Sequence, residues 1–191
     1  MEYMKRIFIA VKIEPRKTLT AMIAELKAAF KDDRIKWAEP GNFHITLAFL
    51  GDTPEDKISE VAKMLERVCP GIAEFELSLK GAGVFKSIND PRILWTGIEP
   101  SEKLAILFES VRNGLMDAGI TPEERKFNPH LTLGRIKSIK DTGRLTSLID
   151  GYRNIEIQKQ EVREVILYES LLFQSGPVYK PLNKVALDGK A

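Results

Sequence analysis

The sequence FHITL at residues 43–47 returns with small changes as PHLTL at residues 129–133. Each copy holds one of the two histidines of the chain, and a threonine follows that histidine by two residues. The positions on either side of the threonine are apolar, so polar and apolar residues alternate as they do on a half-buried strand. Two matched strands of this kind predict an internal duplication.

The sequence around each copy repeats the order strand, helix, strand, helix, strand. In the first half the predicted elements are strands at Ile7–Ile13, Phe43–Leu50 and Glu74–Lys80, a helix over Leu19–Phe30, and a helix with Thr53 as N-cap and Pro54 at its first position. In the second half they are strands at Ile93–Ile98, at His130–Ile136 and from Ile155, a helix capped by Ser101, and a short helix near Thr142–Ile149. Two further strands, Val162–Phe173 and Val178–Leu187, predict a hairpin joined through Gly176-Pro177.

The repetition predicts a single bilobal domain over residues 1–191. Lobe one spans about residues 1–85, lobe two about residues 91–160, and C-terminal strands within 161–191 complete the sheets. The nearest approach to a linker is the segment from Lys86 to Pro91. We therefore expect two lobes rather than two independent domains.

Composition excludes several classes of protein. The 191 residues are 43% hydrophobic and 29% charged, which is typical of a globular chain and not of a disordered one. The longest stretch without a charged residue is 12 residues, at 40–51, whereas a membrane-spanning helix needs about 20. The first apolar run, residues 7–11, is too short for a signal peptide, so we expect a cytoplasmic protein. A lone cysteine, Cys69, predicts a core residue and no disulfide.

The charge of the chain is nearly balanced overall but unevenly distributed. The net charge is +2, yet residues 125–144 hold six basic side chains against one acidic one, which leaves −3 for the rest. Arg125 opens this segment and Arg144 ends it. Such a segment indicates either a surface that meets phosphate or an ordinary solvated surface.

The repeated motifs predict acid–base chemistry. On a strand, His44 and Thr46 share one face about 6–7 Å apart, and so do His130 and Thr132. If both strands face one cleft, one imidazole can accept a proton while the other donates one, and the hydroxyls can bind phosphoryl oxygens. Neither motif has a nearby cysteine or second histidine, so we expect no metal and no cofactor. The alternative is two ordinary strand histidines bonded to the backbone.

The paired motifs, His44-Ile45-Thr46-Leu47 and His130-Leu131-Thr132-Leu133, resemble the signature of the 2H phosphoesterase family. Within that family the chain is similar to the RNA 2′,3′-cyclic phosphodiesterases, once called 2′-5′ RNA ligases. Further stretches support the resemblance, namely Phe49-Leu50-Gly51, Pro91-Arg92-Ile93-Leu94-Trp95, Gly134-Arg135 and Gly176-Pro177-Val178-Tyr179.

The resemblance implies a bilobal α+β fold, with antiparallel sheets lining a central cleft. It also implies that water opens a terminal 2′,3′-cyclic phosphate of RNA to leave a 2′-phosphate, without metal. His44 would be the proton donor and His130 the base, although the symmetry of the motifs fits either assignment. We expect a monomer that acts on RNA ends and has no membrane partner.

Arg135 follows the second motif and is a candidate contact for phosphate or RNA. With perfect alternation it points away from His130, unless a bulge at Gly134 turns it back. Its alternative role is an ion pair at the surface or between the lobes. Aromatic residues that could stack on a terminal base, or equally fill the core, are Phe43, Phe85, Trp95, Phe127 and Tyr179.

Two other functions fit the same residues. The site could act on 2′-5′ linked oligonucleotides, as a ligase or phosphodiesterase, or on small cyclic nucleotides. Alternatively, the chain could be a module that binds RNA ends without chemistry, in which case the histidines would be replaceable.

Overall fold

The computed structural model describes residues 4–123, 126–174 and 176–189. Its strands are β1 (Met4–Lys12), β2 (Arg34–Trp37), β3 (His44–Pro54), β4 (Phe75–Ser87), β5 (Asp90–Ile98), β6 (His130–Ser138), β7 (Glu156–Val162), β8 (Glu164–Phe173) and β9 (Gly176–Ala186). Its α-helices are α1 (Lys17–Ala29), α2 (Glu55–Val68), α3 (Glu102–Asp117) and α4 (Thr142–Tyr152). None of these described helices has the length and apolar character needed to cross a membrane.

The strands form two sheets. The first sheet has the order β3-β1-β8-β9 and the second has the order β2-β6-β5-β4-β7. Every pairing between described strands is antiparallel, which confirms the expected α+β class with antiparallel sheets. The closing hairpin is confirmed as well, because β8 and β9 pair from Glu164–Ala186 to Phe173–Gly176. The predicted connection is wrong, since Gly176 and Pro177 already belong to β9 and pair with Phe173 and Leu172.

The helices bury one apolar stripe each against the core. In α2 and α3 the buried side chains recur at helical spacing, at Ile58, Val61, Met64 and Leu65 and at Leu104, Leu107, Val111 and Leu115. These two helices approach closely at Gly114, where a β-carbon would lie 2.7 Å from Sδ of Met64. Cys69 is fully buried, as predicted, and burial raises the pKa of its thiol to about 12.

The two predicted N-caps have different outcomes. Ser101 caps α3, because its Oγ accepts a hydrogen bond from the backbone N–H of Leu104 at 3.2 Å. The prediction for Thr53 is wrong, since Pro54 occupies the N-cap position of α2 and the Thr53 hydroxyl donates to the carbonyl of Gly51 at 3.0 Å. The reason is that β3 runs on to Pro54, so Thr53 is still part of the strand.

The sheets do not follow the two halves of the sequence. The first half supplies β1 and β3 to the first sheet but β2 and β4 to the second, and both C-terminal strands join the first sheet. The segment from Lys86 to Pro91 is the tight turn between β4 and β5, where Ser87 pairs with Asp90. Strand β2 was not predicted, because four residues are too few to show a period.

The chain crosses between the sheets immediately before the first motif. After β2, the backbone N–H of Ala38 still donates to the carbonyl of Leu133 in β6 at 2.9 Å. A 3-10 turn, Pro40–Asn42, then leads into β3. This short crossing brings β3 into contact with β6.

Two glutamines of β7 hold the end of β1 from the other sheet. The amide of Gln160 accepts from the backbone N–H of Glu14 at 2.8 Å and donates to the carbonyl of Lys12 at 2.7 Å. The amide of Gln158 accepts from the N–H of Arg16 at 2.9 Å and donates to the carbonyl of Glu14 at 3.0 Å. These four bonds satisfy backbone groups beyond the strand end and join the sheets.

Candidate active site

His44 and His130 are the first residues of β3 and β6, and their rings are held in the same way. Nδ1 of His44 lies 2.7 Å from the carbonyl oxygen of Asn42, and Nδ1 of His130 lies 2.8 Å from that of Asn128. Because a carbonyl oxygen only accepts, each Nδ1 carries a hydrogen. In the neutral ring the lone pair is therefore on Nε2, which is the atom that can take up a proton.

Aromatic rings pack around both histidines. The His44 ring lies 4.9 Å from the ring of Phe8 and meets the ring of Tyr179 edge-on at 5.1 Å. The His130 ring meets the ring of Phe85 edge-on at 4.6 Å. Each imidazole is thus held in place by contacts with aromatic rings as well as by the hydrogen bond from Nδ1 to the backbone.

The surroundings of both histidines favour the neutral ring. Burial lowers the pKa of His44 below its ordinary value of 6.5, and the positive charges of His130 and Arg135 lower it further, while the bond to Asn42 raises it. Burial likewise lowers the pKa of His130, as does the charge of Arg135, and the bond to Asn128 raises it. Strands β3 and β6 contact each other, and the charge of Arg135 lowers the pKa of both rings, so the two motifs lie close together.

Arg135 lies on the same face of β6 as the second motif. Trp95 of β5 pairs with Thr132 but the next residue, Leu94, pairs with Gly134, so Leu133 is an extra residue and forms a bulge. As a result, positions 133 and 134 are both buried and Arg135 is exposed on the side of His130 and Thr132. The bulge that this orientation requires is therefore present.

The first motif contains the matching bulge. Ala10 of β1 pairs with Thr46 and Ile9 pairs with Ala48, which makes Leu47 the extra residue. Thr46 is exposed and Thr132 is half-buried, and no described side chain engages either hydroxyl. The motifs therefore repeat in backbone geometry as well as in sequence, and the hydroxyls are open to a ligand.

The aromatic candidates divide into two groups. Tyr179 and Phe85 contact the histidines, and Trp95 lies beside Phe85 at 5.4 Å between ring centroids. Phe43 is buried in the core, and Phe127 stacks on Phe108 at 3.9 Å between ring centroids. The structure therefore leaves the first three available for stacking.

Three contributors were not predicted from the sequence. Phe8 contacts His44 from β1, and the carbonyl groups of Asn42 and Asn128 hold the rings. A signal existed for the last two, because asparagine stands two residues before the histidine in both copies. The Asn42 side chain also donates to the carbonyl of Pro177 at 2.8 Å, which ties the β8–β9 hairpin to the site.

Arg135 and Arg144, two arginines of the basic segment that the structure describes, lie in different parts of the fold. Arg125 lies outside the described residues. Arg135 faces the motifs, whereas Arg144 lines a depression of about 480 Å³ between α1 and α4, together with Glu25. Within the described ranges, no three histidine, cysteine, aspartate or glutamate side chains come together as metal ligands would.

Comparison with known proteins agrees with this geometry. The LigT like phosphoesterase family matches residues 9–95 and 98–179. An RNA 2′,3′-cyclic phosphodiesterase of Thermotoga maritima is 37% identical over 188 residues, which cover 96% of each chain. A second, from Methanothermobacter thermautotrophicus, is 35% identical over 176 residues, covering 91% of this chain and 94% of that protein.

Solved structures show the same fold. The Thermus thermophilus protein TT0787 superposes with a TM-score of 0.77 at 28% identity, over 97% of this chain and 100% of that one. E. coli LigT in complex with 3′-AMP superposes with a TM-score of 0.75 at 25% identity, over 97% and 99% of the two chains. The resemblance inferred from the paired motifs is confirmed, and the chain belongs to the LigT-like phosphoesterase family.

Proposed function

We propose that this protein hydrolyses the terminal 2′,3′-cyclic phosphate of RNA to a 2′-phosphate by acid–base catalysis with two histidines. The observation that carries the proposal is the matched pair of imidazoles, each hydrogen-bonded to the backbone through Nδ1 and each free at Nε2. The charge of Arg135 lowers the pKa of both rings. The activity of the relatives from Thermotoga maritima and Methanothermobacter thermautotrophicus supports the same substrate.

The reaction follows from this arrangement in one displacement. One neutral imidazole takes a proton from water through Nε2 while the water oxygen forms a bond to phosphorus. The bond from phosphorus to the ribose 3′ oxygen breaks, and the second, protonated imidazole gives its proton to that oxygen. Thr46, Thr132 and Arg135 bind the non-bridging oxygens and stabilise the charge of the transition state.

The arriving anion sets the protonation state that the reaction needs. In the free site both pKa values are lowered, so both rings are neutral at neutral pH. A phosphate bound nearby raises the pKa of a histidine, because it favours the charged ring. Whichever ring is the acid, the anion must outweigh burial and the charge of Arg135, which lower the pKa of both histidines.

The test is an assay of the purified protein with an oligonucleotide that ends in a 2′,3′-cyclic phosphate, in the presence of EDTA. Phosphorus NMR should show the cyclic signal replaced by that of a 2′-monophosphate, at a rate that the chelator does not change. Unchanged cyclic ends, a 3′-phosphate product, or activity lost to EDTA would overturn the proposal. The same assay with 2′-5′ linked oligonucleotides measures the second candidate function.

The oligomeric state is part of the proposal. We expect a monomer, because both motifs lie in one chain and the site needs no residue from a second copy. Light scattering of the purified protein measures this directly. A cytoplasmic location remains a prediction, to be checked by fractionating cells.

A further inference from the structure

A second guanidinium, that of Arg6, faces the candidate site from the first sheet. On β1, Arg6 shares a face with Phe8 and Ala10, since the residues between them are fully buried in the core. Phe8 packs against Tyr179, and both rings contact His44. Arg6 itself is exposed, and no described carboxylate pairs with it. Its donors are therefore available to a ligand.

The Arg6 guanidinium rests on the ring of Phe49, with Cζ 4.8 Å from the ring centroid. Phe49 is the third residue after Thr46, as Arg135 is the third after Thr132, and each follows the bulge of its own strand. Each sheet thus holds a guanidinium beyond the bulge of its motif strand. In the second sheet the guanidinium comes from β6, the motif strand itself. In the first sheet it comes from the neighbouring strand β1, and the ring of Phe49 on the motif strand supports it.

Arg6 lies further from the motifs than Arg135 does. Along β1 it is four residues, or about 13 Å, from Ala10, which is the partner of Thr46. The electrostatics agree with this distance. Burial is the largest influence on the pKa of both histidines and of Tyr179; among the charges, Arg135 lowers all three pKa values, whereas Arg6 lowers that of Tyr179 alone. Arg6 therefore lies beyond the immediate surroundings of the two histidines, on the side of Tyr179.

We propose that Arg6, supported by Phe49, binds the phosphodiester on the 5′ side of the terminal ribose and so favours RNA strand ends over free nucleoside cyclic phosphates. This inference rests on the proposed function. A planar guanidinium with free donors forms paired hydrogen bonds to phosphate oxygens. In an RNA strand, the anion next to the terminal cyclic phosphate is the phosphodiester that leads into the same ribose.

The test uses two substrates that differ only in that group. One is adenosine 2′,3′-cyclic phosphate, and the other is the same compound carrying a methyl phosphodiester on its 5′ oxygen. Arg6→Gln should lower kcat/KM about 10-fold for the second substrate and leave it unchanged for the first. Arg135→Gln should lower both values together, and Lys5→Gln, next to Arg6 but bonded to Glu55, should change neither.

Salt dependence gives a second measurement. Losing one phosphate contact should reduce the slope of log kcat/KM against log salt by about 0.7, and only for the substrate with the 5′ phosphodiester. Equal losses on both substrates, or no loss on either, would overturn the role of Arg6. Absence of turnover with both substrates in the unaltered protein would instead overturn the proposed function.

Discussion

The carbonyl groups of Asn42 and Asn128 decide which nitrogen of each histidine can exchange a proton. Because Nε2 is then the only reactive nitrogen of each ring, removing either ring removes one proton transfer completely. We expect His44→Ala and His130→Ala each to lower kcat about 10²–10⁴-fold. Steady-state rates measure the loss, and circular dichroism checks that both variants keep the fold.

A modified substrate separates the two roles. If sulfur replaces the bridging 3′ oxygen, the thiolate leaves without a proton, so the acid is no longer needed. The variant that lacks the acid, His44→Ala by the resemblance, should recover most of its lost rate, whereas the variant that lacks the base should not. Recovery in both variants or in neither would argue against the two-histidine scheme. Under the alternative of a binding module, both variants would bind RNA ends normally and the unaltered protein would show no turnover.

The lowered pKa values of His44 and His130 predict a dependence of stability on pH. Both groups are neutral in the fold and have an ordinary pKa of 6.5 when unfolded, so the unfolded chain takes up protons first as the pH falls. The stability that they contribute is fully present above pH 6.5 and is lost as the pH drops toward their folded values. Melting temperatures between pH 5 and 7.5 measure this.

Proton NMR tests the same pKa values directly, because the chain has only two histidines. Both ring signals should titrate below 6.5 in the free protein, and inorganic phosphate should move them upward. The variant His44→Gln assigns the two signals. A titration at or above 6.5 in the absence of an anion would show that the rings are more exposed than the structure indicates.

The bulges in β3 and β6 change which face the following residues occupy, so that Phe49 and Arg135 lie on the same face as the motifs. At Gly134 a β-carbon would lie 2.9 Å from Cγ2 of Ile35 and 3.3 Å from the Trp37 ring, so a larger residue would push β2 away from β6. We expect Gly134→Ala to cost about 1–3 kcal/mol of stability and to reduce kcat/KM by displacing Arg135. Chemical denaturation and the cyclic phosphate assay measure the two effects.

Gly151→Ala is the matched control for this substitution. Gly151 lies in α4, and apart from its chain neighbours and the backbone of that helix no described atom lies within 4 Å of the added carbon. Alanine there should therefore stabilise the helix by about 0.5–1 kcal/mol. If both variants behave alike, close packing at the bulge has no special role.

Elements with a clear hydrophobic period could be predicted from the sequence, and those set by pairing could not. The strands that carry His44 and His130 were predicted because polar and apolar residues alternate over several positions. The bulges were not located, because an extra residue is defined only by the partner strand. For the same reason the sequence left open which face of β6 Arg135 occupies, because that depends on the bulge. The contact between Phe49 and Arg6, which lie on different strands, could not be predicted either.

The duplication in sequence does not coincide with the division of the strands into two sheets. Each half repeats the same order of elements, yet β2 and β4 leave the first half to complete the second sheet. Local patterns carry no information on which strand pairs with which, so this exchange could not be predicted. The glutamine side chains of β7 then join the sheets at the end of β1.

This exchange of strands predicts that the halves depend on each other. In a fragment of residues 1–88, cut in the β4–β5 turn, β2 would lack its one partner β6, and β4 would lack β5 and β7. We expect neither this fragment nor 89–191 to unfold cooperatively alone, because the unpaired strands leave backbone groups unsatisfied. Co-expressed, the fragments should associate and recover hydrolysis, since all pairings are then available. Calorimetry of each fragment is the measurement, and a cooperative transition in 1–88 alone would show that the first half is an independent folding unit.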